Sequence, residues 1–315
     1  MKLRELVDQY VSYRKSLGSS FRTAGYHLKA FSRAMGDEIE VGEERPERVN
    51  SFLAGGGGPI TSYWHSKYGT LSGFYLYAIS CGHATAIPLP TEKPRAREYP
   101  KPYIYTVDEI RRILEENASY PIRVKIEPHT MRTILLLLYG TGLRIGEALH
   151  LTLADVDTRD ALIVVRETKF HKTRLVPVGP QLQKLLSLYV TKRNEAGHSQ
   201  DIDAPFFTTR RGASIRHLLV WLTFRRLCVR AGVVRTDGAY FQPRLHDLRH
   251  TFAVQRLTAW YRTGSDVQQL LPKLATYLGH LSIAETQVYL TMTPALLQEA
   301  SLRFEHYATK EAAHE

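Results

Sequence analysis

The stretch PLPTEKPRAREYPKPY, residues 88–103, constrains the architecture more than any other part of the chain. It holds five prolines and six charged side chains. Proline fixes φ and donates no N–H, and a run of charges offers nothing to bury, so neither helix nor strand passes through it. The chain has 315 residues, 43% of them hydrophobic, enough for a core on each side of this break. The expectation is a mainly α protein: a helical domain over residues 1–88, an extended basic linker over 89–104, and a larger, mostly helical domain with a small antiparallel β-sheet over 105–315.

The first part reads as four helices. Leu3, Leu6, Val7, Tyr10, Val11 and Tyr13 approximate one helical face. A second helix is expected from about Phe21 to Met35. A third covers part of Arg48 to Leu53 and stops at the glycine run 55–58 before Pro59. The fourth carries Tyr63, Trp64, Tyr68, Leu71, Phe74, Tyr75 and Tyr77, whose spacing matches burial better than base stacking. In the second part Thr106 and Glu109 form the sequence signature of a capping box. An apolar helix over 129–139 ends at Gly140-Thr141-Gly142, and another starts near Arg144. Residues 161–178 read as a β-hairpin. Helices are expected at about 180–196, 214–231, 247–260 and 266–278, with a short strand at Phe206 and Phe207.

The formal net charge of +11 favours polyanionic partners, DNA or RNA first, although charge alone is equally compatible with simple solubility. Cys81 and Cys228 lie in apolar surroundings in different predicted domains and read as buried thiols. No CxxC or Cys/His cluster indicates a metal site, and no cofactor motif is present. The N-terminus has no apolar signal core and the longest apolar run, Ile134 to Tyr139, is far too short to span a bilayer. These features predict a cytosolic protein.

Within this frame a set of polar residues stands at intervals: Arg144 in TGLRIGEAL, Lys169 in ETKFHKTRLVPV, His246 and Arg249 in LHDLRHTF, His280 in YLGH and Tyr289 in TQVYL. Two arginines suit the non-bridging oxygens of a phosphodiester, because a guanidinium fork binds phosphate through two bonds. Histidine and lysine suit the proton transfers to and from nucleophile and leaving group. A tyrosine completes the set as nucleophile. His246 and Arg249, three apart, share a helical face. Glu147, three residues after Arg144, is placed to orient a neighbour. His250 is expected to be structural. Lys169 sits at the hairpin turn. Counting back from RLVPV selects it, with Lys172 as the alternative. Each residue has an ordinary reading in isolation: a surface arginine, a solvated turn lysine, one packing tyrosine among 18. The order and spacing carry the information.

That order resembles the tyrosine recombinases, the phage integrase and Xer-type family. Its pattern is an arginine in a TGxR phrase, a hairpin lysine, HxLRH, LGH, and a tyrosine nine residues later. The phrase DVQQLLPKLATYLGH is further similar to a subset of transposon- and plasmid-borne integrases. The resemblance implies a SAM-like helical core-binding domain ahead of the catalytic domain. It implies Tyr289 as nucleophile forming a 3′-phosphotyrosyl bond, Arg144 and Arg249 as phosphate clamp, and Lys169 as general acid. It makes His246 an aid to tyrosine deprotonation, His280 a phosphate contact and Glu147 a supporting carboxylate. It implies double-stranded DNA as partner, four protomers on two duplexes, and neither metal nor ATP. A C-terminal segment from Ala295 to Glu315 would dock on a neighbouring protomer or pack in cis. Arg210, Arg211, Arg216, Arg225, Arg226 and Arg230 flank the predicted helix facing DNA. The competing expectations are a type IB topoisomerase-like enzyme without partner exchange and a silent DNA-binding relative.

Overall fold

The computed structural model describes residues 1–19, 21–56, 60–95, 102–119, 125–166, 173–239, 241–291, 296–299 and 301–302. The chain divides into two compact units, residues 1–99 and 100–315. Among the described residues no helix is long and apolar enough to cross a membrane.

The first unit consists of α1 (Leu3–Ser16), α2 (Arg22–Met35), α3 (Pro46–Ala54) and α4 (Ser62–Ser80). Pro46 opens α3 at a position where its missing N–H is unneeded. The buried faces of α1 (Leu3, Leu6, Val7, Tyr10, Val11) and α2 (Leu28, Phe31, Met35) close on Leu71, Phe74 and Tyr75 of α4. Tyr13, expected on the buried face of α1, is 46% exposed and stacks on Tyr77, ring centroids 5.4 Å apart. Of the α4 aromatics, Trp64, Phe74 and Tyr75 are buried while Tyr63 is exposed. Cys81 does not match its expected burial: it sits at the C-cap of α4 and is exposed. The apolar residues nearest to it in sequence continue the helix rather than cover its end.

The second unit begins with α5 (Val107–Ala118), started by the expected Thr106–Glu109 capping box. α6 (Pro128–Thr141) follows. It is central, packing on α5, α8 (Pro180–Glu195) and α10 (Leu245–Arg262), and it buries residues on most of its circumference. α7 (Ile145–His150) leads into a 3₁₀ turn at Leu153–Asp155 and a three-stranded antiparallel sheet in the order β1 (Val156–Asp157), β2 (Leu162–Val165), β3 (Arg174–Pro177). Val165 pairs with Arg174 and Ile163 with Val176. Ile163, Val165 and Val176 are buried while Leu175 is exposed, the period-2 pattern of a sheet covered on one face. The two-residue β1 adds a strand to the expected hairpin. α9 (His217–Arg230) and α11 (Val267–Leu278) complete the main helices.

Phe206 and Phe207 are both buried, with ring centroids 4.9 Å apart, but form no strand. Their flanks make only single bridges, Thr152 to Pro205 and Thr208 to Ser214, so no ladder develops. Cys228 is buried as expected, and burial raises its thiol pKa to about 12. Of the expected C-terminal helix only 296–299 and 301–302 are described; there Leu296 is buried and Leu297 and Leu302 are exposed.

Two glycines shape the region where the motifs meet. Gly142 ends α6 at φ 65°. A Cβ there would lie 2.7 Å from Phe252 Cδ1 and 2.9 Å from Leu278 Cδ2, both on buried side chains. Gly142→Ala should therefore combine left-handed backbone strain with overpacking and destabilise the protein by about 2–4 kcal/mol. Urea unfolding measures it; a loss under about 0.5 kcal/mol, the scale of an ordinary surface substitution, would contradict this close packing.

Candidate active site

Gly279 ends α11 at φ 69°, and His280 N donates back to Ala275 O at 2.9 Å. This left-handed cap satisfies part of the helix end. Gly279 N takes Thr276 O, and the three carbonyls after that are taken by arginines from three different elements. Arg174 Nε, on β3, donates to Tyr277 O at 3.0 Å. Arg249 Nη2, on α10, donates to Leu278 O at 2.7 Å. Arg144 Nη2, at the N-cap of α7, donates to Gly279 O at 3.3 Å. A helix C-terminus carries partial negative charge on its free carbonyls, which is why three guanidinium groups can gather there.

Arg249 is buried, 2% exposed, and its Nη1 also donates to Gly142 O at 2.8 Å. Burial and the neighbouring Arg144 charge lower its pKa to about 10, so it stays protonated at neutral pH. Arg144 is more open; its side chain pairs with Glu147 at 2.9 Å while its backbone N–H donates to the same carboxylate at 2.9 Å. Glu147 also receives both ends of the Arg174 fork, at 3.1 and 2.7 Å. Its burial alone would raise the carboxyl pKa, but Arg174 and Arg144 outweigh that and hold it below the usual value.

Tyr289 lies in a 3₁₀ turn (Val288–Thr291) that follows the short helix α12 (Ala284–Gln287). It is 3% exposed and belongs to the cluster formed by Phe252, Leu257, Leu271 and Leu278. Burial raises its phenol pKa, and the nearby positive charges of Arg249 and Arg144 partly offset that. His280 stacks beside its ring, centroids 6.0 Å apart, and is held through Nδ1 against the Thr286 hydroxyl at 2.7 Å. His250 meets the Tyr289 ring edge-on at 5.5 Å and the His246 ring at 4.8 Å. His250 and His280 thus flank the tyrosine, and His246 lies beyond His250. His250 Nδ1 is buried without a hydrogen-bond partner. His246 has an exposed edge, but the protein around its ring and the Arg249 charge lower its pKa.

The expected set thus converges, with Arg144, Glu147, His246, Arg249, His280 and Tyr289 around the end of α11. Lys169 and the alternative Lys172 lie outside the described residues. Arg174 is the member not singled out from the sequence. The signal was present: Arg174 and Val176 share one face of β3, and the apolar Val176 marks that face as inward. Among the described residues no group of His, Cys, Asp and Glu could hold a metal ion.

The histidines have a consequence for stability. Burial first, then neighbouring positive groups, lowers the pKa of His250 to about 4 and of His280 to about 3. Between those values and the ordinary histidine pKa near 6.5 the unfolded chain binds protons that the folded chain does not, so stability rises with pH. The melting temperature should fall as pH drops from 7 to 5, and His250→Gln should flatten that slope. An unchanged slope in the variant would remove His250 as a source.

Chemically, the arrangement is suited to phosphoryl transfer to a tyrosine: cationic forks for the phosphate oxygens, a protonated phenol, and neutral imidazoles able to accept its proton. The chain belongs to the phage integrase family, which its residues 104–295 match. Membership places it among the site-specific DNA recombinases. It is 34% identical to y4rB of Sinorhizobium fredii (strain NBRC 101917 / NGR234), a protein provisionally named integrase/recombinase, over 96% of each chain. Its fold resembles the Tn1549 transposon integrase in complex with transposon right-end DNA, with TM-score 0.71, 16% identity, and coverage of 98% of this chain and 100% of that one. It also resembles a lambda integrase in a tetramer bound to a Holliday junction, with TM-score 0.65, 19% identity, and coverage of 92% and 77%.

Proposed function

We propose that this recombinase cuts and rejoins duplex DNA of a mobile element or replicon through a covalent bond to Tyr289. The observation that carries the reading is the gathering of Arg144 and the buried Arg249 at the end of α11, beside a buried Tyr289 whose ring lies against His250 and His280. In the reaction the Tyr289 oxygen attacks phosphorus and displaces the 5′-oxygen of the next nucleotide, leaving a 3′-phosphotyrosine. The phenol proton passes to His246 or its neighbours, and the departing 5′-oxygen takes a proton from Lys169, with Lys172 as the alternative donor. Arg144 and Arg249 hold the non-bridging oxygens, His280 adds a contact, and Glu147 orients Arg144. A 5′-hydroxyl of a second duplex then attacks the phosphotyrosine and restores Tyr289. One phosphoester is exchanged for another at each step, so bond energy is conserved and ATP is not required.

In this reading residues 1–88 form a DNA-binding core domain, 89–104 a linker, and 105–315 the catalytic domain. The exposed Arg210, Arg211, Arg216, Arg225, Arg226 and Arg230 around α9 supply phosphate contacts. The active assembly is four protomers on two duplexes in the cytoplasm, at the nucleoid; the tetrameric lambda integrase supports that number. Nicked suicide DNA carrying the flanks of the protein's own gene tests the chemistry by trapping a covalent protein–DNA adduct. Strand exchange between two duplexes, and not relaxation of supercoils alone, is the expected outcome. Relaxation without exchange would overturn the recombinase reading in favour of a topoisomerase-like one.

A further inference from the structure

We infer that Arg174 is a positioning residue that neutralises Glu147 and so leaves the charge of Arg144 for the scissile phosphate. This rests on the proposed role of Arg144. The side chains of Glu147 and Arg174 are 11% and 10% exposed. The carboxylate accepts four donors: both Arg174 nitrogens, Arg144 Nη1 and the Arg144 backbone N–H. Counted as charges, the cluster is two guanidinium groups around one carboxylate, net +1. Without Arg174, Glu147 and Arg144 would form a neutral pair, and an approaching phosphate would meet a dipole instead of a cation. A desolvated setting makes that difference larger than it would be at a surface.

The seat of Arg174 is closely built. Its Nε donates to Tyr277 O, and a Cβ on Gly279 would fall 2.7 Å from its Nη1. Arg174 therefore lies against the same turn whose carbonyl, Gly279 O, receives Arg144. Among the described residues, Arg174 is the group that offers Glu147 a bidentate fork. Arg144, more open at 39%, directs one nitrogen to Glu147 and one to Gly279 O, which fixes the plane of its guanidinium.

The test is a charge cycle in the full-length protein: Arg174→Met, Arg174→Lys, and Arg174→Met combined with Glu147→Gln. Two measurements are made. One is single-turnover cleavage of nicked suicide DNA. The other is binding of inorganic phosphate by the DNA-free protein, followed by ³¹P line broadening against an Arg249→Met background, which does not depend on cleavage. Charge compensation predicts at least a tenfold loss in both for Arg174→Met, a loss of only about threefold for Arg174→Lys, and recovery of most of the deficit in the double variant. A fork needed only for packing would instead leave Lys and Met equally impaired, and the double variant no better than Met; either result overturns the inference. If wild-type protein binds phosphate but forms no adduct, the recombinase reading fails while the phosphate series still decides the role of Arg174.

Discussion

Tyr289→Phe should abolish the covalent adduct with suicide DNA, by at least about a thousandfold, while leaving DNA affinity within about twofold. The substitution removes one oxygen and nothing else. The ring stays in the apolar cluster with Phe252 and Leu278, between His250 and His280. Losing the hydroxyl should change stability by no more than about 1.5 kcal/mol, the net worth of one hydrogen bond. Affinity is expected to hold because phosphate contacts spread over a basic surface dominate binding to duplex DNA. Tyr277 supplies the control. It lies in the same region, but its hydroxyl donates to Pro177 O at 3.3 Å and its pKa is raised to about 12 by burial. Tyr277→Phe should keep the adduct. Adduct formation on denaturing gels measures both variants; an adduct that persists in Tyr289→Phe would move the nucleophile elsewhere.

In the proposed reaction the burial of Tyr289 would also shape the rate. Tyr289 is only 3% exposed, so in the proposed reaction the 3₁₀ turn that carries it would have to shift for its oxygen to reach phosphorus. That turn is short and follows a four-residue helix, a light attachment compared with the 18-residue α10 that holds Arg249. Arg249 is thus held on a long helix, Arg144 at the start of the six-residue α7, and Tyr289 on a short segment.

How much of this was legible in the sequence depends on which interactions are local. The Thr106–Glu109 cap, the stop at Gly142 and the stop at Gly279 could be read directly, because each is set within one helical turn. The β2–β3 hairpin was visible as alternation, but the two-residue β1 was too short to leave a pattern. Phe206 and Phe207 show the limit of reading apolar runs, since a buried pair without a ladder partner looks the same as a strand. Within the site, order and spacing grouped Arg144, Glu147, His246, Arg249, His280 and Tyr289 but passed over Arg174, and the bonding among them could not be read. Nothing near Arg249 in sequence indicates that its fork spans Gly142 O and Leu278 O, 107 and 29 residues away. Likewise the Arg174–Glu147 pair joins a strand to a helix 27 residues earlier, and only tertiary packing brings them together.

Arg249→Met should lower cleavage by about a thousandfold or more, because loss of a single preorganised donor to a developing oxyanion already costs 10²–10³ and this one also carries charge. Its effect on stability has two opposing parts. Gly142 O and Leu278 O would each lose a charged donor in a buried setting, at about 1–3 kcal/mol apiece. Against that, the fold no longer has to bury a cation, whose desolvation is what pulls the Arg249 pKa down to about 10. The net destabilisation should therefore be smaller than the two carbonyls alone would give, and the protein should still fold and bind DNA. Arg249→Lys should fall between: it keeps the charge but can reach only one of the two carbonyls and cannot grip two phosphate oxygens. Urea unfolding and single-turnover cleavage on the same samples separate the two effects. Cleavage within tenfold of wild type in Arg249→Met would mean that the buried arginine serves the packing of α10 against α6 and α11 and not the phosphate. A buried cation bonded to backbone carbonyls is a costly way to pack helices, and the cost is explained if a phosphate is its intended partner.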